Sequence, residues 1–484
     1  MIEGLSGAQR WKGAILGIAL TVIAVVAVDL YAVGKGLSYR ELIVAFAALI
    51  GGVIVFGGER GIRFGFVLWT LTLALGYRTI AYTPDLKIHP AEILLWVLFF
   101  CIFGQRQLLS STRLSFPLWL FLLIPFGVLA WWPLIVGTLL PWDRMLNEFR
   151  NFLLLVPLMV VGSVVLKQVR YWRYLLLAFF AASTWIASMG LIEYWFPEVT
   201  KLFPAFMSDP TPGVTADGFV RAQFSFWGGA TATFLCVLAL PSAIVLARWW
   251  SQLFQRTAIV AASGLQMAAI YVGGYRSIWF VLLLQVLIAC LLGLKKHGVM
   301  IAVLCLLVAA GGYQFVPNTN ERVMTGIAAL RGAPIDHSAQ DRKDRATDAL
   351  NSVIQNPFGT GWSSAGWVHS DFIQVAANLG LIAGLIFLGG YMYTLLRLGR
   401  RLLPYLREPE QGDLGLSLLL AFVAAGGLLA TQGVEVLPQL VLPVWFVWTL
   451  VEVWLHQTPD LLVASAAPVS VYPGQVSDFD YRAF

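Results

Sequence analysis

Charge is scarce in this chain: 12% of its 484 residues are Asp, Glu, Lys or Arg, against 59% hydrophobic. A soluble domain of this length needs far more polar surface, so a water-soluble fold is excluded. Cysteine is scarcer still. Its four copies, Cys101, Cys236, Cys290 and Cys305, lie in apolar runs, away from any loop that could carry a disulfide framework and without metal-ligand spacing. They read as small core residues. Paired His and Asp or Glu patterns of a metal site are missing as well, so neither a metal nor any other cofactor is expected. No nucleic-acid partner is expected either.

What is present is apolar sequence over nearly the whole length, with a mean hydropathy of +0.77. The expectation is an all-α polytopic membrane protein with about fourteen spans and the lipid bilayer as its first partner. The spans fall near 13–33, 41–57, 64–82, 90–104, 115–133, 149–166, 172–196, 228–247, 257–274, 277–294, 299–316, 371–397, 413–431 and 439–456. The first is too long for the apolar core of a signal peptide and reads as a retained span. Lys and Arg concentrate in alternate connections, such as Arg60 with Arg63, Lys167 with Arg170 and Arg173, and Arg397 through Arg407. That bias puts both termini in the cytoplasm. Residues 1–456 then form one transmembrane domain, with outside loops at 197–227 and 317–370 and a flexible cytoplasmic tail at 457–484.

The stretch from Arg342 to Gly384 is the one long polar interruption. Ala346, Ala349, Leu350, Val353 and Ile354 recur at helical spacing, so the loop carries an amphipathic helix, closed by Asn356 and Pro357. Arg342 precedes Ala346 by one turn on the same stripe and is aimed inward, with Arg345 as its rival. A glycine loop follows, Gly359, Gly361 and Gly366, and then His369. With Ser370 as a cap, the helix from Asp371 turns its first amides toward the loop, where they favour a bound anion. Asp371, Gln374 and Asn378 form a polar stripe at i, i+3 and i+7, which in lipid has to face protein or a wet cavity. Polar residues that simply bond neighbouring helices are the plainer explanation of that stripe.

Basic residues on the outside need a reason, because the orientation bias disfavours them. Arg276 stands in a minimal turn, GGYRSIW, between two long apolar spans, and Arg221 precedes another span. A guanidinium fork suits bidentate binding of phosphate or carboxylate, whereas a single boundary arginine more often contacts lipid headgroups. Three such arginines with one histidine favour an anion site. Most of the nineteen tryptophans read as an interfacial belt, with Trp362 and Trp367 either in it or lining a sugar groove.

The order Arg342, Ala349 and Leu350, Asn356 and Pro357, Gly359 and Gly361, His369 and Ser370, then Leu379 and Gly380, resembles the O-antigen ligase and O-antigen polymerase superfamily of bacterial membrane glycosyltransferases. Tyr275, Arg276 and Ser277 are similar to its short arginine turn, and Arg221 ahead of AQFSF to its arginine before a glycine-containing span. The likeness covers roughly 215–400. Ser370, Asn378 and Ala346 depart from it, standing where asparagine, glutamate and tryptophan are common.

The resemblance implies a metal-independent transfer of a glycan from an undecaprenyl diphosphate carrier to a glycan or lipid-linked acceptor outside the cytoplasmic membrane. It implies His369 as base and Arg276 as the residue that stabilises the leaving diphosphate. Arg221, Arg342, Arg345, Asp371, Gln374 and Asn378 would bind substrate. A lipid-linked glycan flippase or transporter is the rival class, and a peptidoglycan glycosyltransferase the neighbouring one.

Overall fold

The segment from Leu440 to Leu455 is apolar on nearly every face, and such a helix has to be surrounded. Protein surrounds it. The computed structural model describes residues 50–52, 54–55, 57–75, 80–81, 87–110, 112–135, 142–167, 169–200, 213–214, 220–222, 229–250, 252–292, 324, 337–364, 366, 368–406, 408–432 and 438–466. Every residue from 440 to 455 is buried, Trp445, Trp448 and Trp454 among the largest side chains of the core. Phe446 meets Phe66, Trp69 and Phe179 with ring centroids 6.1, 5.7 and 5.1 Å away.

Around this centre stand α1 (Gly58–Thr72), α2 (Pro90–Gly104), α3 (Leu118–Leu129), α4 (Trp142–Leu153), α5 (Leu155–Val165), α6 (Val169–Trp195), α7 (Gly229–Ala239), α8 (Ser242–Trp249), α9 (Leu253–Gly273) and α10 (Arg276–Leu291). After them come α11 (His337–Gln355), α12 (Asp371–Leu379), α13 (Leu381–Tyr405), α14 (Pro409–Thr431) and the central α15 (Pro438–Ala466). Short helical turns connect some of them, as do two antiparallel ladders of two-residue strands: β1 (Ile80–Ala81) with β2 (Lys87–Ile88), and β3 (Gly213–Val214) with β4 (Val220–Arg221).

Among the described residues, four helical stretches are long and apolar enough to cross a membrane: Trp142–Val165, Tyr171–Trp195, Leu381–Tyr405 and Gln411–Thr431. A fifth arises if α7 and α8, bent by 46° at Leu240 and Pro241, count as one. Pro90–Gly104, Leu118–Leu129, Arg276–Leu291 and Leu440–His456 are apolar but shorter. These helices fit a lipid bilayer. Only 39% of the apolar window in α13 is buried, leaving Leu381, Ile382, Leu385 and Leu388 facing outward, as lipid contact requires.

Several expected spans differ from the helices. The span at 371–397 is broken at Gly380, whose φ of +103° no helix accommodates, so α12 and α13 are separate pieces. The span at 149–166 begins earlier, at Trp142, and is interrupted at Leu154. The last helix runs to Ala466, so the expected tail starts helical. The spans at 13–33 and 299–316, and nearly all of 197–227 beyond Thr200, lie outside the described residues.

The break at Pro241 shows how the interior stays satisfied. Proline has no N–H to give Val237 O, its partner four residues back. The buried Gln285 amide takes that place, donating to Val237 O at 3.1 Å and to Leu420 O at 3.0 Å.

One end of the bundle gathers the segments of interest. α13 and α14 pack together across a short connection and are therefore antiparallel, which sets Leu381 beside the end of α14. Gln432, just past α14, donates to the Ser277 hydroxyl at the start of α10. Ala222, next after β4, donates its N–H to Val272 O at the end of α9, 2.8 Å away. The backbone at Arg221, the Arg276 turn and the α12–α13 break thus share one end.

Candidate functional site

α11 is amphipathic, but its apolar stripe splits in two. Ala349 and Val353 are buried against Val368, Ala376 and Ala377, so α11 docks on α12. Leu350 and Ile354 are 48% and 78% exposed and do not join that contact. Arg342, at i−7 from Ala349 on the docked side, is half-buried. Arg345 is exposed and held by Asp341 at 3.0 Å on the outer face. The geometry separates the two rivals, with Arg342 inward and Arg345 outward.

The loop between α11 and α12 is tied down residue by residue. Thr360 and Gly361 donate their N–H groups to Ala377 O and Asn378 O, each at 3.0 Å, and Leu381 donates to Pro357 O at 2.9 Å. Gly359 (φ +87°) and Gly380 (φ +103°) lie back to back in this seam. A Cβ on Gly359 would stand 2.5 Å from Asn378 O and 2.6 Å from Gly380 N, both main-chain atoms that cannot step aside. Gly359→Ala combines that clash with a left-handed backbone. It is expected to cost at least ~2 kcal/mol, read as a lower thermal unfolding midpoint in detergent.

Trp362 belongs neither to an interfacial belt nor to an open groove. It is 1% exposed, its indole N–H donates to Gly127 O at 2.8 Å, and its ring packs on Phe149 and Phe152. The loop is thereby pinned to α3 and α4. Trp367 lies outside the described residues.

Ser370 occupies the N-cap position of α12 in extended conformation, but its side chain makes no cap bond. Gln374 reaches back to accept from the Val368 N–H at 3.2 Å, which ties the end of the loop to the helix. The expected stripe is inside the protein: Asp371, Gln374 and Asn378 are 0%, 1% and 1% exposed. At least two of its members serve the protein itself, Gln374 on the loop and Asn378 on a neighbouring helix.

That neighbour is α4. Glu148 is 1% exposed, and its Oε2 accepts from the Ser363 N–H at 2.9 Å and from Asn378 Nδ2 at 3.0 Å. Ser363 has a φ of +63°, an uncommon conformation for a side-chain-bearing residue, and it serves to aim that N–H at the carboxylate. Two residues on, Arg150 of α4 pairs with Glu92 of α2 at 2.7 Å. Sequence reasoning missed Glu148 because the span was started at 149, leaving Asn147 and Glu148 in a loop. The usable signal was Asn147, Glu148 and Asn151 at helical spacing inside an apolar flank. An acid at Glu92 within an expected span likewise demands a partner.

His369 stands half-buried between these pieces. Burial, then the guanidinium groups of Arg342 and Arg345, push its imidazole down to about 4, with Asp341 opposing them. At neutral pH it is an uncharged proton acceptor beside fixed positive charge. Arg276 reaches the same end by another route. The chain turns at Gly274 (φ +69°), and Arg276 opens α10, partly buried, next to the Ser277 and Gln432 contact. β4 brings the main chain of Arg221 to the same turn. A neutral imidazole beside Arg342 can accept a proton from a neighbouring hydroxyl, and the Arg276 turn and the main chain of Arg221 lie at the same end of the bundle. The chain matches no protein-family model and no curated protein.

Proposed function

We propose that this chain is a membrane glycosyltransferase. It moves a glycan from an undecaprenyl diphosphate carrier to an acceptor hydroxyl, in ligation or polymerisation of O-antigen, capsule or exopolysaccharide. The observation that carries the reading is a neutral, half-buried His369 beside Arg342, at the end of the bundle where Arg276 begins its helix. About fourteen spans with both termini cytoplasmic would put that end on the outer face, where the lipid-linked donor is met.

In this reading Arg276, Arg221 and Arg342 hold the donor diphosphate. The bond from the sugar's anomeric carbon to the phosphate oxygen breaks, its electron pair stays on the diphosphate, and the arginines neutralise the growing charge. The acceptor oxygen forms the new bond to that carbon as its proton passes to His369. Bound diphosphate offsets the positive field of Arg342, which raises His369 basicity when the donor is in place. No step uses a metal.

The two rival arginines give a direct comparison. Arg342→Ala is expected to lower kcat/KM for the donor by ~10- to 100-fold, the loss of charge-assisted hydrogen bonds. Arg345→Ala, which removes an exposed pair with Asp341, should stay within about twofold. Equal losses in the two variants, measured by radiolabelled glycan transfer, would contradict the inward placement of Arg342.

Transport is the rival activity, and proteoliposomes separate the two. Labelled donor should convert to product on added acceptor without crossing the bilayer. Donor that crosses with no product formed would replace this reading with a flippase.

A further inference from the structure

Several backbone and side-chain bonds tie the described residues of the loop from Pro357 to Val368 to their surroundings, and one partner in them is ionisable. Thr360 and Gly361 bond to α12 carbonyls, Trp362 to Gly127 and Ala130, and Val368 to Gln374. Among the described residues of the loop, Ser363 alone hydrogen-bonds to a side chain of α4, and that side chain is Glu148. The same Glu148 oxygen holds Asn378 of α12. A buried carboxylate is a costly way to fasten two helices together, since packed apolar residues do it without desolvating a charge. What a carboxylate oxygen offers is acceptance from two donors at once, here one on the loop and one on the helix that follows it.

We propose that Glu148 is the positioning residue of this site: its carboxylate ties the glycine-rich loop to α12 and so sets where His369 stands. The assignment rests on His369 being the base. Three details support it. Ser363 adopts its left-handed backbone at the bond to Glu148. His369 follows Ser363 by six residues, and the Asn378 that Glu148 also holds lies on the same short helix as Gln374, the partner of Val368 beside His369. Gly359, Gly361 and Gly366 all have positive φ, so the loop carries little stiffness of its own and takes its shape from its attachments. Removing Glu148 takes away the side chain that, among the described residues, bonds the loop and α12 to α4 at a single atom. His369 would then move out from under α11 and Arg342.

Reactivity of His369 reads this without any glycan. Purified protein in nanodiscs is treated with diethylpyrocarbonate across a pH series, and carbethoxylation of His369 is followed by mass spectrometry. Only the neutral imidazole reacts. The charged groups that act on it are Arg342, Arg345 and Asp341 of α11, Arg345 from the outer face of that helix, with Asp371 two residues on in α12. Wild type should label slowly, with a midpoint near 4. Glu148→Ala should label several-fold faster, with the midpoint moved toward about 6.5, the ordinary histidine value. Glu148→Gln keeps an oxygen that accepts from both Ser363 and Asn378, and should restore the wild-type midpoint. A wild-type rate and midpoint in Glu148→Ala would overturn the proposal.

If Glu148→Ala does not fold, Asn378→Ala removes one arm of the bridge and should shift His369 in the same direction by less. An unmoved His369 there would overturn the proposal equally. A shifted His369 in a protein whose wild type transfers no glycan would remove the functional reading and leave the positioning role standing.

Discussion

His369→Ala should lower glycan transfer by ~10²- to 10⁴-fold at neutral pH, the range that a positioned general base contributes. Donor binding should survive, because the diphosphate is held by arginines and not by the imidazole. The pH profile makes the same point in wild type. A base must be neutral to accept a proton, so activity is present above the His369 pKa and lost as pH falls through it. Burial and Arg342 put that limb near 4 in the free protein. The limb seen in kcat should stand higher than the limb in kcat/KM, because bound diphosphate offsets the arginine charge. A limb in kcat/KM near about 6.5 would mean that His369 does not feel its surroundings.

Arg276→Ala carries the second large effect. If its guanidinium meets the charge that builds on the leaving diphosphate, its removal should cost ~10²- to 10³-fold in kcat, as for one donor lost from an oxyanion site. Arg276→Lys keeps the charge but not the planar fork, so it should recover only part of the rate. A lipid-headgroup arginine behaves differently, since lysine replaces it without loss. Full activity in Arg276→Lys would therefore assign Arg276 to the headgroups. Steady-state transfer with saturating acceptor measures both variants.

The class of this protein is legible because lipid leaves few choices. Scarce charge and long apolar runs demand helices, and Pro90–Gly104, Arg276–Leu291 and Pro409–Thr431 fall close to where hydropathy puts them. Periodicity likewise finds α11, and the glycines of the loop mark turns that are there. Hydropathy alone is blind to breaks within an apolar run. Gly380 and the Leu240–Pro241 bend sit among residues as apolar as their neighbours, and the reason for each break is main-chain geometry.

The site divides in the same way. The Ala349 stripe leaves Arg342 and Arg345 as rivals, since both are helically spaced from it, and their different exposure, like the outward turn of Leu350 and Ile354, depends on α12, which periodicity cannot supply. Glu148 was the larger omission. It lies 215 residues before its loop partner Ser363 and 230 before Asn378, and no local pattern joins positions so far apart. Trp362 was misplaced for a related cause: tryptophan near a span end suits the interface, and only its bonds to Gly127 and Ala130 show that it is core.

Purified protein in nanodiscs, given a defined glycan on undecaprenyl diphosphate, a panel of hydroxyl acceptors and EDTA, tests the proposed chemistry most directly. The measurement is glycosylated acceptor formed against undecaprenyl diphosphate released, for wild type, Arg276→Ala and His369→Ala. Wild type should release one carrier per glycan transferred, and both variants should be close to inactive while still folded. Undiminished transfer in both variants would show that the arginine turn and the histidine loop have no part in the reaction.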